Sequence, residues 1–224
     1  MNERQKALLE TLRQLFTQQQ EMYTHRTNST EDRIVSTSQP YVRPIVRGKA
    51  GTPVEFGAKI EMSMVDGYAR IEMLSWDAFN EGGTLQDSVE SFRADISHYP
   101  ARILADKIFR TRENLNYCKK YGIRMSGPKL GRPPKDKALY REQLALERSE
   151  SGERSEIEGW FRAGKRRYTL GCIMTRLQHT SEVSAHFTVL TMNLFRKLCL
   201  FFALLCDCFF LCFLISCRCA GDPE

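Results

Sequence analysis

The chain has 224 residues, of which 42% are hydrophobic and 27% charged, so it has material for a core, and wholesale disorder and collagen-like structure are excluded. Its length suits one domain with appendages. The net charge of +6 favours acidic partners and is arranged in blocks: Lys107 to Lys137 holds ten Lys or Arg against Glu113 and Asp136, whereas Ala138 to Glu158 holds six Glu against three Arg.

The predicted elements begin with an amphipathic helix over Glu3 to Tyr23, in which Leu8, Leu9, Leu12, Leu15 and Phe16 repeat at helical spacing. A polar, turn-like loop follows to Thr37, closing a first segment of residues 1–37. Tyr41 to Lys49 is extended by its prolines and basic. Val54 to Ser63 and Tyr68 to Leu74 read as two strands joined by Val65-Asp66-Gly67, since Asp-Gly between apolar runs signals a hairpin. Thr84 starts a helix, with Asp87 completing a near capping box and Leu85, Val89, Phe92 and Ile96 forming its buried stripe. Arg102 to Asp106 reads as a short strand, Arg112 to Tyr121 as a helix closed by Gly122, and Ile123 to Met125 as another strand. This alternation is the pattern of an α/β layer structure. Ser126 to Lys137 is a Gly/Pro-rich basic loop, followed by a charged, mobile segment. Helices resume near Arg154 and from Ser181 to Leu198, so that residues 38–197 make one domain.

Residues 198–224 form an apolar, Cys-rich tail that holds six of the eight cysteines. There is no Cys-x2-Cys pair and no histidine beside the cluster, which argues against zinc. With no signal peptide in front, a reduced cytoplasmic compartment is expected. Leu198 to Cys217 has the length of a membrane span, but Asp207 interrupts it at a cost of roughly 2.5–3.5 kcal/mol. A buried terminal helix or an unselected tail is the preferred reading, and a membrane partner is not expected.

Two acidic residues stand out. On a helix of about 100° per residue, Arg154, Glu158 and Lys165 fall within about 40° of one another, beside an apolar stripe of Ile157 and Phe161. This is either a solvated charged face or the edge of a site. Asp106 ends a short apolar strand, where it either caps a turn or meets a ligand at the carboxyl end of a sheet. Lys129, Arg132 and Lys135 in the basic loop, with Lys165 and Arg166 beyond Glu158, suit phosphate contacts.

Val54-Glu-Phe-Gly-Ala-Lys59, Val65-Asp-Gly67, Ala105-Asp106-Lys107, Asn114, Ser126-Gly-Pro128, Leu130-Gly-Arg-Pro133, the Arg-x3-Glu-x6-Lys spacing from Arg154 to Lys165, and Met192-Asn193-Leu194 together carry a resemblance. The chain resembles the DDE-type transposases of bacterial insertion sequences over roughly Gln18 to Leu198. The resemblance implies a ribonuclease-H-like mixed sheet flanked by helices, here with its first strand missing. It implies Asp106 and Glu158 as catalytic metal ligands, with Arg154 and Lys165 facing DNA. It implies Mg²⁺ or Mn²⁺ as cofactor and insertion-sequence ends and target DNA as partners, alongside intact transposase or a second copy of the chain. There are two departures. Ser151 stands where the family signature often has Tyr. The family's first catalytic Asp belongs upstream of the segment matching Arg33 to Lys59, and Asp66 or Asp77 is the candidate replacement. The expectation is an N-terminally truncated transposase, catalytically incomplete; the alternative is a non-catalytic DNA-binding remnant that modulates intact transposase.

Overall fold

The computed structural model describes residues 1–46, 54–127 and 136–219, with side chains described as far as Asp207. Five α-helices and six strands lie among these residues, giving a mixed α/β architecture.

Helix α1 (Glu3–His25) starts where Asn2 and Gln5 form a reciprocal capping box: each side chain accepts a hydrogen bond from the other's backbone N–H. Its apolar stripe does not pack as expected. Leu8, Leu12 and Phe16 are exposed and only Met22 is buried. Gln18 ties the helix to the following loop: its Nε2 donates to the carbonyls of Glu31 and Asp32, and its Oε1 accepts from the Ile34 N–H.

Strands β1 (Pro44–Val46) and β2 (Val54–Phe56) pair antiparallel; the rest of the extended basic run, Arg47 to Lys49, lies outside the described residues. The single strand expected over Val54 to Ser63 is divided at Gly57, whose φ of 131° no ordinary strand residue adopts. Beyond it, β3 (Lys59–Val65) and β4 (Tyr68–Ser75) form the expected hairpin. The turn residues Asp66 and Gly67 have φ of 51° and 79°, the two left-handed positions that an Asp-Gly hairpin turn requires. The Arg196 guanidinium lies against Gly67 on the side where a Cβ would project, so glycine there also admits the last helix.

Helix α2 (Leu85–Ile96) follows a 3-10 turn over Glu81–Gly83. That turn leaves Thr84 itself helical, so its hydroxyl does not cap α2. It lies 2.5 Å from Glu61 Oε2 and 2.8 Å from the Glu81 carbonyl, in place of the expected capping box. Strand β5 (Arg102–Ile103) is shorter than expected, because Asp106 already caps a 3-10 turn over Lys107–Phe109. Helix α3 (Arg112–Lys120), capped by Thr111, leads to β6 (Arg124–Met125), which pairs parallel with β5. Leu85, Val89, Cys118 and Ile123 make the core of this half. Fully buried Asn114 bolts it together by donating to the carbonyls of Gly82 and Phe109 at 2.7 and 2.8 Å.

The charged segment expected to be mobile is instead the first half of helix α4 (Lys137–Arg167), which is continuous through Arg154. Two ion pairs order it. Arg102 of β5 binds Glu153 at 2.7 Å, and Arg124 of β6 binds the buried Glu150. Further along, Trp160 joins Ala69, Val189 and Met192 in a second core beneath the hairpin. Gly164 lets α4 approach closely there: a Cβ on it would lie 3.3 Å from the Met192 sulfur.

Helix α5 (Gln178–Cys219) has no break at residue 197. Its first half buries Ser181, Ala185, Val189 and Met192. Leu198, Leu200, Phe201, Phe202, Leu204 and Leu205 are all exposed, so the described part of the tail is not a buried terminal helix. By length and composition alone, α5 from Gln178 to Asp207 is long and apolar enough to cross a membrane.

The expected mixed sheet appears among the described residues as three separate two-stranded pairs, β1–β2, β3–β4 and β5–β6. The outer edge of β4 shows one physical reason. The Asn193 side chain donates to the Ala69 carbonyl at 2.7 Å and accepts from its N–H at 2.9 Å, taking the hydrogen bonds a further strand would make.

Candidate functional site

The site is built where β5 and β6 end and α4 passes over them. Glu150, Arg154 and Glu158 lie four residues apart on α4 and therefore form one ridge. The Arg124–Glu150 and Arg102–Glu153 ion pairs fix that helix against the strand pair. The chain leaves β5 at Ile103 and reaches Asp106 three residues on, so the same docking that joins Glu153 to Arg102 carries Glu158, over one turn further along α4, toward Asp106.

Both carboxylates meet a single cation. Arg154 Nη1 is 3.2 Å from Glu158 Oε1 and 4.0 Å from Asp106 Oδ2, so these oxygens are no farther apart than the sum of the two distances. Residues fifty-two positions apart in sequence are thus neighbours. Both readings of Asp106 hold at once. Its Oδ1 accepts from the Lys107 N–H at 2.7 Å and caps the turn, which orients Oδ2 toward Arg154. The carboxylates are open to solvent, with side-chain exposures of 63% for Asp106 and 56% for Glu158, whereas Arg154 is the inner member at 30%.

Hydrogen bonds at the strand ends hold the backbone here. Ser126 N–H donates to the Ile103 carbonyl at 2.9 Å, Ser126 Oγ accepts from Ala105 N–H at 3.2 Å, and Arg110 donates to the Ser126 carbonyl. Of the other expected site residues, Lys165 and Arg166 sit exposed in the last turn of α4. Lys129, Arg132 and Lys135 lie outside the described residues. The packed face of α4 is centred on Trp160 and Gly164, with Ile157 and Phe161 only half-buried at its margin.

Two hard carboxylate oxygens facing one cationic position suit a divalent ion such as Mg²⁺, which uses few protein ligands and keeps water or phosphate oxygens for the rest. Neither Asp66, in the hairpin turn, nor Asp77, after β4, joins the pair. Among the described residues no group of three His, Cys, Asp or Glu is close enough to hold a metal.

Sequence reasoning missed the docking roles of Arg102, Arg124, Glu150 and Glu153, the residues that bring the pair together. The signal available was the four-residue spacing of Glu150 from Arg154. Residues 103–195 match the family model described as Transposase DDE domain, a span that starts on β5, includes Asp106, Arg154, Glu158 and Lys165, and ends on α5 just past Asn193. No curated protein and no solved structure matches the chain.

Proposed function

We propose, for a chain whose residues 103–195 match the Transposase DDE domain, that it is a DDE-type transposase in which Asp106 and Glu158 form a divalent-metal site beside a DNA-binding face, and that the site is incomplete for strand cleavage. The convergence of both carboxylates on Arg154 Nη1 carries this reading. A divalent ion held there supplies charge neutralisation for in-line attack on a phosphodiester. The chain's own contribution is positional: the cap on Asp106 fixes its free oxygen, and the strand–helix ion pairs fix Glu158. Lys165, Arg166 and Arg167, in one exposed turn, serve as phosphate contacts, with Lys129, Arg132 and Lys135 extending the basic surface. The ligands are Mg²⁺ or Mn²⁺ and the DNA of insertion-sequence ends and target. The fold is read as a ribonuclease-H-like sheet in fragments.

A second reading is a non-catalytic DNA-binding partner that joins or inhibits intact transposase, and it is favoured by the lack of a third carboxylate near the pair among the described residues. Both readings predict salt-dependent DNA binding. Replacing Lys165, Arg166 and Arg167 by Ala is expected to reduce the slope of log K against log[salt] by about 2–3, measured on duplex DNA. Nicking of supercoiled plasmid with Mn²⁺ separates complete from incomplete chemistry. No nicking is expected; nicking abolished by Glu158→Gln would establish a complete enzyme and overturn the incompleteness. Absence of measurable binding to duplex DNA at low salt would remove the DNA-binding reading altogether.

A further inference from the structure

We propose that Arg154 is a resident competitor for the Asp106–Glu158 pair: its guanidinium sits where the two carboxylates converge and has to swing away when a divalent ion enters, which releases it to bind a phosphate. This deepens the metal-site reading above and rests on it.

Three observations carry the inference. Arg154 Nη1 lies within 4.0 Å of an oxygen from each carboxylate, so a cation bound to both oxygens would have the guanidinium as its immediate neighbour. Arg154 is less exposed than either carboxylate, so both acids remain open to an ion arriving from solvent while the guanidinium is the more enclosed of the three groups. Finally, a guanidinium cannot shed its charge at any ordinary pH, so repulsion from an incoming divalent ion is relieved only by movement. The long side chain permits that movement without disturbing α4, because its backbone is held separately through Glu150 and Glu153. The ridge it leaves runs toward exposed Lys165, Arg166 and Arg167, a direction that suits a phosphate-bearing partner.

Isothermal titration with Mn²⁺ alone, on the full chain, tests the competition. Arg154→Gln removes the charge and keeps the side chain polar; it is expected to bind Mn²⁺ about three- to tenfold more tightly than wild type, since an exposed ion pair is weak but is lost to the metal in full. Arg154→Lys keeps a charge but loses the planar fork, and about twofold tighter binding is expected; this variant carries the test should Arg154→Gln fail to give native circular dichroism. A merely structural arginine predicts the opposite sign. Equal or weaker Mn²⁺ binding by the folded variants overturns the proposal. Asp106→Asn and Glu158→Gln distinguish the two levels of failure. If both bind Mn²⁺ like wild type, the metal site itself is wrong. If both lose binding while neither Arg154 variant gains it, only the competition is wrong.

Discussion

At the scale of single residues, Glu61 combines burial with partial compensation. It lies in β3 beneath α2, where Thr84 Oγ1 and Ser88 Oγ approach its carboxylate at 2.5 and 3.3 Å. Burial raises its pKa above the ordinary carboxylate value, the two hydroxyl hydrogen bonds lower it, and repulsion from Glu81 and Glu72 adds to the rise. The net shift is upward, so the folded chain holds this proton to higher pH than the unfolded chain does. The resulting stabilisation is complete below the unfolded value and is lost as pH rises through the folded one. Thermal denaturation from about pH 4 to pH 7 is expected to show wild type losing stability relative to Glu61→Gln as pH rises. Parallel curves would mean that the hydroxyl contacts fully offset the burial. Neither Glu61 nor Asn114 has a local sequence signature for its role, since each is defined by groups brought in from distant elements. Asp106 and Glu158 were legible as acids in informative positions, but Arg154 was legible as a neighbour of Glu158 and, by resemblance, as a DNA contact, not as the group joining the two acids.

At the scale of elements, the docking of α4 onto β5–β6 is asymmetric. Glu150 has 4% side-chain exposure while its partner Arg124 has 47%, so the pair joins a buried carboxylate to a cation that still reaches water. Removing Arg124 strands the buried charge; removing Glu150 leaves an arginine that solvent can satisfy. Arg124→Ala is therefore expected to cost about 2–3 kcal/mol in urea unfolding, and Glu150→Leu, which fills the space, under about 1 kcal/mol. The more exposed Arg102–Glu153 pair is expected to contribute about 0.2–1 kcal/mol. Equal losses for Arg124→Ala and Glu150→Leu would contradict the asymmetry. The same contacts explain why this helix was hard to read. Residues 138–153 have no sustained apolar stripe and look like a solvated linker; what orders them is charge on strands more than twenty residues away. Elements with local signals read more clearly. Asp66-Gly67 turns the hairpin, and Gly122, at φ 69°, follows the end of α3. Strand association was not legible, because the edge of β4 is satisfied by Asn193, 124 positions away.

At the scale of the molecule, α4 and α5 both contribute to the core beneath the hairpin, and α5 extends well beyond it. Among the described residues the last buried position on α5 is Met192, while the large apolar side chains from Leu198 to Leu205 are exposed to solvent. An exposed apolar surface of this extent drives association. Composition alone left a buried helix, an unselected tail and a membrane anchor as readings of this segment, because all three share its hydropathy; exposure in the described part removes the first. The consequence is measurable. In detergent-free buffer, light scattering is expected to give the full chain a mass well above one copy. A chain ending at Lys197 is expected to have a lower mass and an unchanged thermal midpoint, since Trp160, Val189 and Met192 keep their contacts. A fall in the midpoint would mean that residues after 197 support the core beneath the hairpin. A monomeric full chain would mean that the apolar surface of Leu198 to Leu205 is covered in solution by the protein itself.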